Sequence, residues 1–140
     1  MHIEIDEIAK AFGATTALHP VSLAIPSGAL VGLLGPSGSG KTTLLRILGG
    51  LEYPSSGRVL FDGRDATGLT VQERRAGFVF QSYALFPHLT VADNVAFSLK
   101  MKGVPRPERL PRAHKLLDLV HMAAFADRLP AQLSGGQQQR

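Results

Sequence analysis

Gly35-Pro36-Ser37-Gly38-Ser39-Gly40-Lys41-Thr42 decides how this chain of 140 residues is read. The octapeptide fits G-x-x-x-x-G-K-[ST], a loop that wraps phosphate groups with backbone amides. Polyphosphate packs several negative charges into a small volume. A loop that binds it must turn many N–H donors toward one point, which favours glycine, here Gly35, Gly38 and Gly40. The spacing predicts a helix from about Lys41, with its positive end facing the anion. Lys41 adds a full charge within reach of β- and γ-phosphates. The Thr42 hydroxyl is suited to Mg²⁺, with Pro36, Ser37, Ser39 and Thr43 completing the phosphate-binding stretch.

The flanks agree with this reading. Ala29-Leu30-Val31-Gly32-Leu33-Leu34 is a short apolar run, the pattern of a buried parallel strand. Thr43 to Leu48 reads as helix, with Gly49-Gly50 as its stop. Chance alone yields the four fixed positions in roughly one chain of this size per hundred. Strand, glycine loop and helix in succession are therefore what separates the motif from a flexible turn.

Farther out, residues 2–8 alternate, with Ile3 and Ile5 opposite Glu4 and Asp6, and Val21 to Ile25 alternates again before Pro26-Ser27-Gly28. Two strands with a turn at Phe12-Gly13 are expected. Arg58 to Phe61 reads as a strand closed by Asp62-Gly63, and Phe78-Val79-Phe80 as a short buried strand running into Gln81. Ser82 to Leu89 is a loop carrying Tyr83, Leu85, Phe86 and Pro87. Thr90-Val91-Ala92-Asp93 opens a helix. Residues 107–121 form another, with a partial apolar face of Leu110, Leu116, Leu117 and Val120, and Asp127 to Gln132 is a connection around Pro130.

Composition bounds the class. There is no cysteine, which excludes disulfides and thiolate metal sites. No apolar run approaches the roughly 20 residues needed to span a bilayer, and the acidic N-terminus lacks the layout of a signal peptide. The net charge of +4 is spread along the chain without aromatic interleaving, so no nucleic-acid partner is expected.

A second motif, Leu133-Ser134-Gly135-Gly136-Gln137, narrows the function. Ser134 is placed as an N-cap, with Gln137 as its capping-box partner and two glycines leaving the helix start bare. With this pentapeptide and the following Gln138-Gln139-Arg140, the chain resembles the ABC transporter ATPases. The resemblance implies an α/β fold: a P-loop NTPase core with an N-terminal antiparallel β subdomain over about 1–85 and a helical subdomain over about 86–140. It implies ATP and Mg²⁺ as cofactors. Gln81 would ligate Mg²⁺ and position the attacking water, and Phe12 would stack on adenine. Ser134, Gly135, Gly136 and Gln137 would cap the γ-phosphate of ATP held by a second copy, so that two subunits close head-to-tail. The Gln81 to Leu89 loop would meet membrane permease subunits, with a periplasmic solute-binding protein engaged indirectly. Such a subunit sits peripherally on the cytoplasmic face of the bacterial inner membrane.

In the family, an apolar run ending in Asp-Glu follows the pentapeptide, and a histidine lies beyond it. Neither can be placed here: Val59-Leu60-Phe61-Asp62 precedes the pentapeptide and reads as strand and turn, and His88, His114 and His121 do not fit by position. The expectation is a partial domain, truncated before the Walker B strand and inactive in hydrolysis alone. The catalytic residue is thus unassigned. Gly77 to Phe86 and Ala126 to Ser134 are most similar to importer ATPases that serve sulfate and thiosulfate. The alternatives are an importer of molybdate, polyamine, iron or sugar, a soluble ABC-type ATPase, and a P-loop kinase or GTPase. The last lacks Asn-Lys-x-Asp, since the only asparagine, Asn94, precedes Val95.

Overall fold

The computed structural model describes all 140 residues, Met1–Arg140, and divides into two compact units, Met1–Phe78 and Val79–Arg140. The first unit begins with a long hairpin. β1 (Ile3–Phe12) and β2 (Thr15–Ile25) pair antiparallel around the Gly13-Ala14 turn. β3 (Ser56–Phe61) pairs with the other edge of β1, and the short β4 (Arg64–Asp65) completes a sheet of order β2-β1-β3-β4. Val59 to Phe61 and the Asp62-Gly63 turn thus form the strand and turn expected.

The pairing of β1 with β2 shifts register three times, first around Glu7. Glu7 adopts φ 49° between the paired residues Ile5 and Ile8, where the register shifts. A bulge of this kind moves the following residues to the other face. Ile8, which simple alternation places with Glu4 and Asp6, is therefore fully buried. Glu7 is held at the surface by Ser22, whose hydroxyl accepts from the Glu7 amide at 3.0 Å and donates to its carboxylate at 2.8 Å.

α1 (Lys41–Gly49) packs on this sheet, with Leu44 and Ile47 joining Ile5, Ile8, Leu18 and Val59 in one core. Its end is a Schellman arrangement: the Gly50 amide donates to the Ile47 carbonyl at 3.1 Å and the Leu51 amide to the Arg46 carbonyl at 2.9 Å. The short α2 (Val71–Arg74) follows a complete capping box between Thr70 and Glu73. Its last residue, Arg74, is 4% exposed. The guanidinium donates to the carbonyls of Ile47 (2.6 Å), Leu48 (3.0 Å), Leu69 (3.0 Å) and Thr67 (2.9 Å). A cation at a helix C-terminus is favourable, and here it joins α1 to the segment before α2. Burial pulls the Arg74 guanidinium below its ordinary value.

Two expectations fail. Ala29 to Leu34 is not a strand, and Leu30 and Leu34 stand fully in solvent at 101% and 97%. Phe78 to Phe80 is not a strand either, and Val79 is 94% exposed. A parallel strand takes its backbone partners from parallel neighbours. The only sheet formed is antiparallel, so neither run finds a ladder to join.

The second unit is helical: α3 (Val91–Val95), α4 (Phe97–Met101), α5 (Arg106–Leu119) and α6 (Gly135–Gln139), with 3-10 turns at Ala123–Phe125 and Pro130–Gln132. Thr90 caps α3 by accepting from the Asp93 amide at 3.1 Å. Val91, Ala92, Leu117, Met122 and Ala126 form the core, with Leu110, Val120 and Leu133 packed against it. Leu116 is not part of that face. One position before Leu117 on a 3.6-residue period, it turns outward and is 54% exposed.

Candidate functional site

The octapeptide forms the floor of a cleft in the first unit, about 620 Å³ in volume. Gly35, Ser37, Gly38, Ser39, Gly40, Lys41, Thr42 and Thr43 line it, facing Thr15, Thr16 and Ala17 of β2. Pro36 is turned toward a smaller adjoining cavity. Thr15, Thr16 and Ala17, the first residues of β2, were not singled out by sequence reasoning. Their signal was the turn at Gly13, which brings the start of β2 back to this place.

Gly40 makes the approach possible. It is the residue before α1, with φ 86°. A Cβ there would lie 2.7 Å from the Ala17 carbonyl oxygen and 2.8 Å from a Leu18 methyl carbon. Both the left-handed conformation and the contact with β2 require glycine. With glycine as the cap, no side chain takes the first amides of α1. The N–H groups of Lys41, Thr42 and Thr43 have no acceptor within the helix and open on the cleft. The Thr42 side chain is exposed there.

Lys41 lies over the loop. Its ammonium donates to the carbonyls of Gly35 (2.9 Å) and Pro36 (2.5 Å) and to Ser39 Oγ (3.0 Å). These are neutral acceptors. A charged oxygen makes a bond of roughly twice the strength, so an anion entering the cleft competes well for the same donors. The donor set suits the triphosphate of a nucleotide with its magnesium: bare amides, one ammonium and one exposed hydroxyl, without a cluster of carboxylates to repel it.

Phe12 ends β1 opposite Thr15, so it stands at the margin of the cleft-lining strand. It is 52% exposed. Gln81 belongs to the second unit, in an exposed turn that continues through Ser82, Tyr83 and Ala84. Beyond it the loop is pinned by Asn94, a residue considered in the sequence only for its lack of a guanine-binding motif. The Asn94 Oδ1 accepts from the Phe86 amide at 2.8 Å, and its Nδ2 faces the carbonyls of Phe86, Leu89 and Thr90 at 3.0–3.1 Å. The Phe86 ring packs on Phe97 with centroids 4.2 Å apart.

At the end of the second unit the capping box forms as the spacing predicts. The Gln137 amide donates to Ser134 Oγ at 3.3 Å, and the Ser134 amide donates to Gln137 Oε1 at 2.9 Å. Gly135 and Gly136 have open space around them. Gln138 fastens the turn by donating to the Pro130 carbonyl at 2.9 Å.

Comparison with known proteins follows this geometry. Residues 18–140 match the profile of the family described as ABC transporter. The whole chain is 60% identical to the sulfate/thiosulfate import ATP-binding protein CysA 1 of Chromobacterium violaceum, covering 40% of that protein. It is 56% identical to CysA of Escherichia coli K12, again over 40% of its length, and 55% identical to that of Thermosynechococcus vestitus, over 42%. The chain thus spans about two fifths of the length of these relatives. Among solved structures, the dimeric bacterial ABC transporter cassette MJ0796 is 37% identical with a TM-score of 0.86, over 98% of this chain and 65% of that one. A post-hydrolysis state of MJ0796 bound to ADP and Pi gives 38% identity and a TM-score of 0.83. A profile that matches from Leu18 within β2 through α6 to Arg140 leaves one assignment: the chain belongs to the ABC transporter family.

Proposed function

We propose that this chain is the ATP-binding part of an importer ATPase, which couples ATP binding and hydrolysis to solute uptake through a membrane transporter. The observation that carries this reading is the start of α1, where Gly40 leaves three amides bare beside Lys41 on an open cleft. The amides and Lys41 bind the β- and γ-phosphates, and the Thr42 hydroxyl holds the magnesium that screens them. Magnesium held by Thr42 would supply charge neutralisation to the phosphates. Gln81, on its exposed turn, would add an amide oxygen for such an ion and orient a water. Phe12 offers a π-face to adenine.

Ser134, Gly135, Gly136 and Gln137 serve the nucleotide of a second copy. Ser134 Oγ already accepts from the Gln137 amide, and a serine hydroxyl keeps its own proton to donate. The Gly135 and Gly136 amides have no side chain in front of them. Two subunits therefore close head-to-tail on two ATP molecules, an arrangement supported by a structural relative described as dimeric.

A groove of about 440 Å³ in the second unit runs between Tyr83, Leu85 and Phe86 on one side and Gln138 to Arg140 on the other. Its mixture of apolar and polar lining suits an amphipathic helix of a permease subunit. No helix of the chain is long and apolar enough to cross a membrane, and in this reading membrane attachment runs through that permease. The subunit then sits peripherally on the cytoplasmic face of the inner membrane, and a periplasmic solute-binding protein acts on it only through the permease. The relatives named for sulfate/thiosulfate import make that anion the solute of choice.

Calorimetry with Mg·ATP, with Mg·GTP as competitor, tests the first step. Saturable uptake of ATP that Lys41→Ala abolishes is expected. Absence of heat from the intact chain, or equal preference for GTP, overturns the nucleotide assignment. Co-purification of permease subunits that is lost with Phe86→Glu tests the membrane partner.

A further inference from the structure

Lys10 and Phe12 are two residues apart on β1, on either side of a register shift between Lys10 and Ala11, and their side chains meet. Their exposures are opposite to their polarity. Phe12 is 52% exposed, whereas the Lys10 side chain is 14% exposed. The lysine is tucked in because three groups receive its ammonium. Nζ lies 2.7 Å from Glu52 Oε1, donates to the Tyr53 carbonyl at 2.8 Å, and stands 4.8 Å from the centroid of the Phe12 ring. Glu52 and Tyr53 belong to the segment that leaves α1, so the cation is fastened from outside its own hairpin. The Lys10 bond also holds the Glu52 carboxyl below its usual range.

We infer that Lys10 is a positioning residue for the nucleotide base: anchored by Glu52 and the Tyr53 carbonyl, it fixes the Phe12 ring and prepares that ring's other face for adenine. This rests on the reading of Phe12 as the stacking residue. An unsupported aromatic at a strand end samples several rotamers, and binding must freeze one of them. A cation against one face holds the ring in place beforehand. It also draws π density toward itself, leaving the opposite face poorer in electrons and a better partner for an electron-rich purine.

The test compares Mg·ATP with Mg·tripolyphosphate, which carries the phosphates without a base, by calorimetry on the intact chain. Lys10→Met keeps the apolar stem and removes the charge. It should weaken ATP about three- to tenfold and leave tripolyphosphate unchanged. Lys10→Arg retains a cation over the ring and should stay within about twofold of the parent for both ligands. Glu52→Ala, which frees the lysine, should again weaken ATP alone. Equal weakening of both ligands in Lys10→Met and Glu52→Ala, or no change in ATP for either, overturns the proposal. Phe12→Ala separates the two levels. If it lowers ATP affinity while Lys10→Met does not, adenine stacking stands and the role of Lys10 falls. If Phe12→Ala changes nothing, the stacking assignment falls and takes Lys10 with it.

Discussion

Gly38 and Gly40 look alike in the sequence, yet replacing each by alanine should have different costs. Both adopt positive φ, 82° and 86°. Each substitution therefore forces an L-residue into a left-handed conformation, at about 1–2 kcal/mol. Their surroundings differ. A Cβ at Gly38 meets nothing within 4 Å, whereas one at Gly40 meets the Ala17 carbonyl at 2.7 Å. That carbonyl belongs to a paired strand and has little freedom to retreat, so overpacking adds about 1–3 kcal/mol. Gly40→Ala should then cost about 2–5 kcal/mol in total, against about 1–2 for Gly38→Ala. Both variants gain the same stabilisation from a stiffer unfolded chain, so this term cancels in the comparison. Urea unfolding followed by far-ultraviolet circular dichroism reads the difference. With a slope of about 1–2 kcal/mol per molar, the two midpoints should separate by about 1 M. Coincident midpoints would refute the reasoning, because they would mean that the contact between α1 and β2 does not constrain the loop.

Three further outcomes follow from the packing. Arg74→Met should remove every donor of the guanidinium and leave the Leu48 and Leu69 carbonyls without those partners, at about 3–5 kcal/mol, with a fall of more than about 10 °C in Tm. Arg74→Lys should fall between. Asn94→Ala should release the Phe86 amide, and hydrogen exchange should show protection lost there while the α5 core keeps its own. Glu73 gives a pH dependence. Its bonds from the Thr70 amide (2.8 Å) and hydroxyl (2.7 Å) hold its pKa below the ordinary 4.5. A depressed folded value means that the contribution is complete above the ordinary pKa and is lost as pH falls through the folded one. Urea midpoints between about pH 5.5 and 3 should therefore drop less for Glu73→Gln than for the parent chain.

Why some of this was legible and some not comes down to how far each signal reaches along the chain. The capping box at Ser134 is built from residues three apart, so the sequence alone displays it. The Schellman end of α1 is equally local, announced by Gly49-Gly50. The bulge at Glu7 left only a faint trace, because Glu7-Ile8 reverses the alternation of Ile3 to Asp6 over just two residues, and the pairing with β2 is what turns Ile8 inward. Arg74 was hidden because its acceptors at Ile47 and Leu48 are distant in sequence. The apolar runs at 29–34 and 78–80 misled most, since hydrophobicity alone reports that a segment can be buried and says nothing of whether a neighbouring strand is present to pair with it.

The two helix starts that define the candidate site follow opposite strategies, and the contrast bears on function. α6 is opened by Ser134, whose hydroxyl and the Gln137 amide satisfy each other at 3.3 Å. α1 is opened by Gly40, which has no side chain to give, and its first amides stay unspent. If stability alone governed the choice, a capping residue in place of Gly40 would contribute roughly a few tenths of a kcal/mol. The contact with Ala17 forbids it. The structure thus gives up a cap where donors face a 620 Å³ cleft and keeps one where the glycines that follow are open to solvent. A helix start that holds its donors in reserve binds an anion strongly by itself. A helix start already half satisfied binds one only when something else has brought it near. In the proposed reading that division of labour suits a site assembled from two protomers: the nucleotide would be held first on α1, and α6 of the other copy would add its weaker grip afterwards. Replacing Ser134 by alanine should accordingly leave Mg·ATP affinity of the single chain within about twofold while lowering the fraction of ATP-bound dimer in sedimentation. A large loss of affinity in the monomer would show that both helix starts act on the same nucleotide from one chain.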